Sequence, residues 1–469
     1  PAFEPLGVPP GYDMHLNGQP DFSAYGQYVT DLYDRRFREI VERRSRGHKP
    51  LFIVMSHMAP HGSHPGDLFQ LPDAVRNSSD LSHINNERRT KYAGLVKTLD
   101  DSFGKLVEVL ASNGILENSV ILFSSDNGGP SFKDAMFPTG ASNWPFRGQK
   151  FTPWEGAIRV ASFVWSPRLI EAPYVSDKLY HFADWLPTFY ALAGGNMSDL
   201  GTIDGLDVWE SISVRDTPSP RDRVLLVHDR DGTTDYPGLV AIMGKYKLVS
   251  GEWAMYTGND WYLAGGDGLK AERSTIDLER RRLKSVAHRV LRRYGLTSIN
   301  VTENWRREAV VRCSWGEQLR CNGEACEGVM VSPTGGDFVE VDVRPADDEP
   351  TTLCDYAHAP CLFDMSADPC ETVNVASQHP DVLRQLLDFA NAFEPAEIVT
   401  PFDYMDCYDR NSNPAREDPP VWKPWAKQCD NLLGEDCPHK LVWNEGETCP
   451  PGGDIQHLPE SVRWSALHR

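Results

Sequence analysis

The first 312 residues contain no cysteine. That excludes a thiol nucleophile, a cysteine-held metal and a disulfide from the first two thirds of the chain. All ten cysteines lie beyond it, at Cys313, Cys321, Cys326, Cys354, Cys361, Cys370, Cys407, Cys429, Cys437 and Cys449. Their even number predicts five disulfides in an oxidising compartment, secreted or lysosomal. Zinc is the alternative, but Cys321-x4-Cys326 and Cys429-x7-Cys437 fit zinc spacing poorly. Also lacking is any apolar run near the ~18 residues of a membrane span. Positive charge is scarce: 47 Lys and Arg face 67 Asp and Glu, a net charge of −20. This argues against a nucleic-acid partner and requires any anion site to be positive locally. Repeats and low-complexity tracts are absent, and 40% hydrophobic residues describe a globular chain. The chain starts at Pro1 without a signal peptide, which predicts a processed product or a fragment.

What the chain does have is an abrupt change of character near residue 126. Val120-Ile121-Leu122-Phe123 is a short apolar run that predicts a strand buried on both faces. It breaks into Ser124-Ser125-Asp126-Asn127-Gly128-Gly129, with Asn143-Trp144-Pro145-Phe146-Arg147-Gly148-Gln149-Lys150 close behind. In open α/β sheets, ligands sit beyond the carboxyl ends of strands. Asp126 and Asn127 offer two hard oxygens of the kind Ca²⁺ or Mg²⁺ takes. The same Asn-Gly pair also reads as a plain turn. A second apolar run, 50–55, ends in Ser56-His57-Met58-Ala59-Pro60-His61-Gly62. Between the runs, Tyr92, Leu95, Val96, Leu99, Phe103, Leu106, Val107 and Leu110 fall at helical spacing, and Asn113-Gly114 supplies the stop. Strand, helix, strand predicts a right-handed parallel crossover. It would bring His61 and Asp126 to one edge of one sheet.

Elsewhere, residues 1–20 read as irregular, 22–46 as an amphipathic helix, 158–165 as a strand and 181–193 as a helix. Residues 223–228 read as the last strand of the first domain. Residues 239–243 and 245–249 predict a hairpin turning at Gly244 and hence a second, antiparallel domain. The expected organisation is an α/β domain over 1–230, a smaller α+β domain over 231–394 with a basic helical insertion at about 262–312, and a Cys-, Pro- and Trp-rich wrap over 395–469. Residues 328–343 read as β, 361–365 as a strand and 381–393 as a helix. Residues 270–293 carry nine Lys/Arg and three Asp/Glu, a net of +6. They read as a solvated helix face, with a patch for sulfated polysaccharide as the alternative. Sequons at Asn77, Asn196 and Asn300 mark sites for N-glycosylation.

These residues together resemble the sulfatase family, and within it the arylsulfatase B (N-acetylgalactosamine-4-sulfatase) type. The resemblance is carried by Pro50-Leu51-Phe52 running to Pro60-His61, Lys91-Tyr92-Ala93-Gly94 and Phe123 to Gly129. Asn143 to Lys150, Trp154-Glu155-Gly156, Asp184-Trp185-Leu186-Pro187-Thr188 and Asp204-Gly205-Leu206-Asp207-Val208-Trp209 extend it. In the second domain Lys245-Tyr246-Lys247-Leu248, Cys361-Leu362-Phe363-Asp364 and Asp368-Pro369-Cys370-Glu371 also fit. The resemblance implies an alkaline-phosphatase-like mixed sheet with helices on both faces, and hydrolysis of sulfate esters on sulfated glycans or aryl sulfates at a calcium site. It implies Asp126 and Asn127 as calcium ligands, His61 as the group that protonates the leaving oxygen, and Lys150 on the sulfate oxygens. Arg147 would support the anion or hold the loop. Trp154 would line the substrate cleft or pack in the core.

The chain departs from the family at the nucleophile. The family uses a cysteine in Cys-x-Pro-x-Arg, converted to formylglycine, and no such motif is present. The paired aspartates expected after an early apolar run are also missing. Asp100-Asp101 falls within the predicted helix, and Asp347-Asp348 in a proline-flanked loop. The expectation is the C-terminal part of a sulfatase, completed by its own N-terminal segment on a separate chain, with homo-oligomerisation left open. A sulfatase-like binding or structural protein without catalysis is the first alternative. A metal-dependent phosphodiesterase with another nucleophile is the second.

Overall fold

The computed structural model describes residues 14–45, 50–63, 68–82, 84, 86–130, 139–228, 238–251, 282–296, 311, 320–321, 324–325, 343–344 and 354–393. Contacts divide the chain into two compact units. One comprises Pro1–Tyr28, Ser63–Leu68 and Pro395–Arg469; the other comprises Val29–Gly62 and Phe69–Glu394. The described part of the first holds a small hairpin of β1 (His15–Leu16) and β2 (Gln19–Pro20). Asn17 and Gly18 supply the two positive φ values, 51° and 78°, that a two-residue turn requires. This gives order to the end of a stretch expected to be irregular.

In the second unit, α1 (Val29–Ser45) packs against α3 (Glu87–Ser112), with the short α2 (Asp73–Arg76) between them in sequence. The α3 helix starts and stops as its sequence dictates. Asn86 accepts the backbone N–H of Arg89 at 2.9 Å, and Gly114 takes φ 67° beyond its end. β3 (Ile121–Ser124) follows. Its partner is β4 (Ser162–Trp165), reached through α4 (Glu155–Ile158), and the pair is antiparallel. The register sets Phe123 opposite Phe163, with ring centroids 5.2 Å apart and nearly parallel; Phe103 of α3 meets both edge-on.

The strand expected over 50–55 has no ladder partner among the described residues, so the parallel crossover is not formed there. The stretch keeps a strand's alternation nonetheless. Ile53 and Met55 pack on Phe37, Val41 and Val109, while Phe52 and Val54 are 72% and 75% exposed. One face is taken by helices; among the described residues no strand lies beside it to accept its backbone bonds.

Further along come α5 (Trp185–Leu192), closed by Gly194 at φ 86°, and α6 (Trp209–Ser213). The motif residues here are structural staples. The fully buried Asp184 carboxylate receives the Arg221 guanidinium and the backbone N–H groups of His181 and Leu206. Thr188 donates to the Asp184 carbonyl and accepts from Val208 N–H.

β5 (Arg223–His228) does not close the first domain's sheet. It pairs antiparallel with β6 (Gly238–Met243), and β7 (Tyr246–Gly251) continues the same sheet. The β6–β7 turn uses Gly244 at φ 55°, as the hairpin reading required. Next come α7 (Val286–Arg293) and a small sheet in the order β10 (Val343–Arg344), β8 (Arg320–Cys321), β9 (Glu324–Ala325). β11 (Cys361–Asp364) then adds to β7, giving the four-strand order β11-β7-β6-β5, and α8 (Pro380–Asn391) covers it. Leu239, Ala241, Leu248 and Leu362 face Leu386 and Ala390 of α8 in a closed core. The fold is α/β with an antiparallel C-terminal sheet, as expected.

Cys354 and Cys361 form a disulfide, and Cys370 is also disulfide-bonded. The expected pairing of Cys313, Cys326, Cys407, Cys429, Cys437 and Cys449, the sequon at Asn300 and the wrap over 395–469 lie outside the described residues. The side chain of Cys321 does too. Asn77 and Asn196 are exposed.

Candidate functional site

Three backbone segments meet just beyond β3. The ladder runs on through Ser125 N–H to the Ala161 carbonyl at 3.1 Å, and then the chain turns away. Gly128 N–H donates to the Ala157 carbonyl (2.9 Å), and Gly156 N–H to the Arg147 carbonyl (2.7 Å). The approach leaves no room for side chains. A Cβ on Gly128 would lie 1.7 Å from the Gly156 oxygen, and one on Gly156 would lie 2.4 Å from the carbonyl oxygens of Arg147 and Gly148. Asn143 staples the same segments. Its Oδ1 accepts Gly129 N–H at 2.9 Å, and its Nδ2 donates to the Gly129 carbonyl at 2.7 Å and the Gly148 carbonyl at 3.3 Å. Arg89 of α3 donates to the Gly140 carbonyl at 2.9 Å, which ties the helix to this assembly.

Asp126 is exposed at the rim, and its Oδ1 accepts the N–H of Asn127 at 2.8 Å. Asn127 donates from Nδ2 to the Gly128 carbonyl at 2.9 Å. Lys150 and Phe151 form the tip of a turn closed by Thr152, whose hydroxyl accepts Gln149 N–H and donates to the Gln149 carbonyl. Phe151 sits at φ 73°, a conformation that bulky side chains rarely adopt and that clusters at functional sites. The Lys150 ammonium lies 5.1 Å from the Phe151 ring centroid.

His61 is exposed in the turn after Ala59-Pro60, and its Nδ1 lies 2.6 Å from the Gly62 carbonyl. No hydrogen bond joins its ring to Asp126, Asn127 or Lys150. The structure thus gathers the loops that carry Asp126, Asn127, Arg147 and Lys150. It gives His61 no bonded link to them.

Trp154 is fully buried, edge-on to Tyr356 and Phe363, each with centroids 5.7 Å away. It has no surface for a substrate, so its place is the core rather than a cleft wall. Arg147 stacks on its other side at 3.7 Å from the centroid and donates to the Glu371 carbonyl at 3.3 Å. Both contacts tie the Arg147 side chain to the loop's own surroundings.

Beneath the loops lies a charge cluster that the sequence did not single out. Lys247 of β7 is fully buried, with its ammonium 2.8 Å from Glu155 Oε1 and 2.7 Å from Glu371 Oε1. Glu371, also fully buried and at φ 58°, accepts the N–H of Glu155 on Oε2 at 2.8 Å. That N–H opens α4, where Trp154 offers no side-chain cap. Burial pushes the Glu371 carboxyl up to about 7, against the pull of the Lys247 ammonium. Burial also works to lower Lys247, but the two carboxylates outweigh it and hold it above the ordinary lysine value. The signals were present: a lysine inside an apolar strand, and the Trp154-Glu155-Gly156 and Cys370-Glu371 pairs of the resemblance.

The two oxygens of Asp126 and Asn127 fall short of a calcium site, which takes about six to eight. Among the described residues no three His, Cys, Asp or Glu side chains group as a metal site. The described residues do not complete the site.

Residues 7–195 match the sulfatase family profile, which supports membership of that family. It is 30% identical to arylsulfatase J of Mus musculus over 425 residues, covering 89% of this chain and 57% of the relative. It is 29% identical to N-acetylgalactosamine-6-sulfatase of Homo sapiens over 180 residues, 38% of this chain and 31% of that protein. The chain thus spans 57% and 31% of these relatives' lengths. Among solved structures, the one described as "Crystal structure of Ps i-CgsB" aligns at 27% identity with a TM-score of 0.42, over 50% of this chain and 48% of its own. In the described residues no helix is long and apolar enough to cross a membrane.

Proposed function

We propose that the chain is the sulfate-binding part of a calcium-dependent, arylsulfatase B-like sulfuric ester hydrolase acting on sulfated glycans or aryl sulfates in the secretory pathway. The observation that carries this reading is the three-segment assembly of Gly128, Gly148, Gly156 and Asn143. It fixes the Lys150 turn beside the Asp126–Asn127 loop within a sulfatase-family chain. Relatives in the family generally use a metal ion. Here Asp126 and Asn127 would contribute two of its oxygens. The Lys150 ammonium binds sulfate oxygens, on which charge grows as the ester bond breaks. His61 donates a proton to the leaving oxygen, a role that typically contributes ~10²–10⁴-fold. The attacking group and the remaining metal ligands come from outside these residues, on the protein's own N-terminal segment.

One fact favours a second reading, a sulfated-ligand binder without catalysis: the 469 residues hold no Cys-x-Pro-x-Arg and no Asp-Asp after an early apolar run. An assay of the purified protein with 4-nitrophenyl sulfate, alongside equilibrium binding of inorganic sulfate, separates the two. Turnover lost in Lys150→Ala supports the hydrolase. Lys150-dependent sulfate binding without turnover supports the binder. Sulfate binding and turnover both indifferent to Lys150→Ala overturn both.

A further inference from the structure

The charged stretch over 270–293 is described from residue 282 onward, and there it is a built feature rather than a solvated helix alone. Ser285 caps α7 by accepting the N–H of His288 at 3.1 Å. Val286, Ala287, Val290 and Leu291 pack on Phe103, Val107, Leu110 and Ala111 of α3. The two helices touch where α3 has no side chain: a Cβ on Gly104 would lie 2.9 Å from Val286 Cβ. So α7 is seated, and its outer face is fixed.

That face is cationic. Residues 282–296 hold Arg282, Lys284, Arg289, Arg292 and Arg293, and no Asp or Glu, in a chain of net charge −20. Arg289, Arg292 and Arg293 are exposed at helical spacing of three and four, so they stand side by side. Among the described residues none of the three forms an ion pair. With Leu283 and His288 they line a hollow of about 350 Å³.

We propose that this face of α7 is a docking surface for a sulfated polysaccharide chain, separate from the reaction loops. The proposal rests on the sulfatase reading for its choice of polyanion. Guanidinium forks match the paired oxygens of a sulfate ester. A membrane would ask for an apolar rim, and among the described residues of this stretch the exposed large apolar side chains are Leu283 and Tyr294. The surface and the loops both pack on α3. Tyr92 lies beside Gly129 and Val107 beneath α7, a separation of about 22 Å along the helix axis. A polymer held on α7 raises the effective concentration of its sulfate esters at the Lys150 turn.

The test is binding of fluorescently labelled heparin to the full chain at stepped salt, for the wild type, R289A/R292A/R293A and R289K/R292K/R293K. The alanine variant should bind about 100-fold more weakly, and the lysine variant should recover most of the loss. Circular dichroism should be the same for all three, because these side chains are exposed and the bond Arg289 makes, to the Lys284 carbonyl, lies ahead of the helix. Affinity within twofold of wild type in the alanine variant overturns the surface. Displacement of heparin by phosphatidylserine vesicles or poly(U) at equal or lower anion concentration overturns the choice of partner. Lys150→Ala keeps heparin on α7. If Lys150→Ala also leaves inorganic sulfate binding unchanged, the sulfatase reading fails while the docking surface stands.

Discussion

Two sets of charges lie within one assembly and are held in opposite ways. Lys247, Glu155 and Glu371 are dry and bonded to one another. Asp126, exposed, and Lys150, half-buried, stand at the rim, bonded to little beyond their own loops. Buried charges fix geometry because leaving one unpaired is strongly unfavourable. Rim charges leave geometry to others and keep their electrostatics for a ligand. The difference teaches that the loops' precision comes from below: a cluster spanning α4, β7 and the turn before α8 supports side chains that themselves hold nothing in place.

The comparison breaks first at Lys247. Lys247→Met leaves two carboxylates buried without their cation, and urea denaturation should show a loss of roughly 3–5 kcal/mol. The pH dependence of stability comes next. With the folded-state carboxyl of Glu371 near 7 and its ordinary value 4.5, the folded protein holds a proton that the unfolded chain has released. This group's contribution is full below pH 4.5 and is lost as pH rises through about 7. Denaturation midpoints measured from pH 4.5 to 8 should decline over that window in the wild type and flatten in Glu371→Gln. A steeper decline in the variant would contradict the assignment. Asn143→Ala should lower stability by about 2 kcal/mol, since it orphans the Gly129 N–H and carbonyl. At the rim, Lys150→Ala and Asp126→Asn should each change stability by less than about 0.5 kcal/mol. Lys150→Ala should nonetheless weaken sulfate binding, and Asp126→Asn should lower bound calcium by atomic emission. Unchanged calcium content would remove Asp126 from the ligand set.

Local signals in the sequence were legible where they decide local structure. The periodicity of α3, its Gly114 stop and the Gly244 turn each act within a few residues. Pairing was less legible, because a strand's partner is set by distant chain. Apolar alternation at 50–55 does not reveal which neighbour takes its backbone bonds, and 223–228 carries no mark of which sheet it joins. Aromatic identity was ambiguous in the same sense: Trp154 suits a cleft wall and a core equally until its neighbours Tyr356 and Phe363 arrive from 200 residues on. Lys247 was readable as an anomaly, a charge among apolar strand residues, but not as part of a triad. Its partners sit on other elements.

Gly128, Gly148 and Gly156 bring three main chains into direct touch, so the loops they belong to move as one part. A redesign of substrate preference cannot retune one of these loops and spare the others, since a side chain added at Gly128 or Gly156 would drive one backbone into another. Selectivity engineering would have to work on the outer approaches and treat the junction as a fixed chassis.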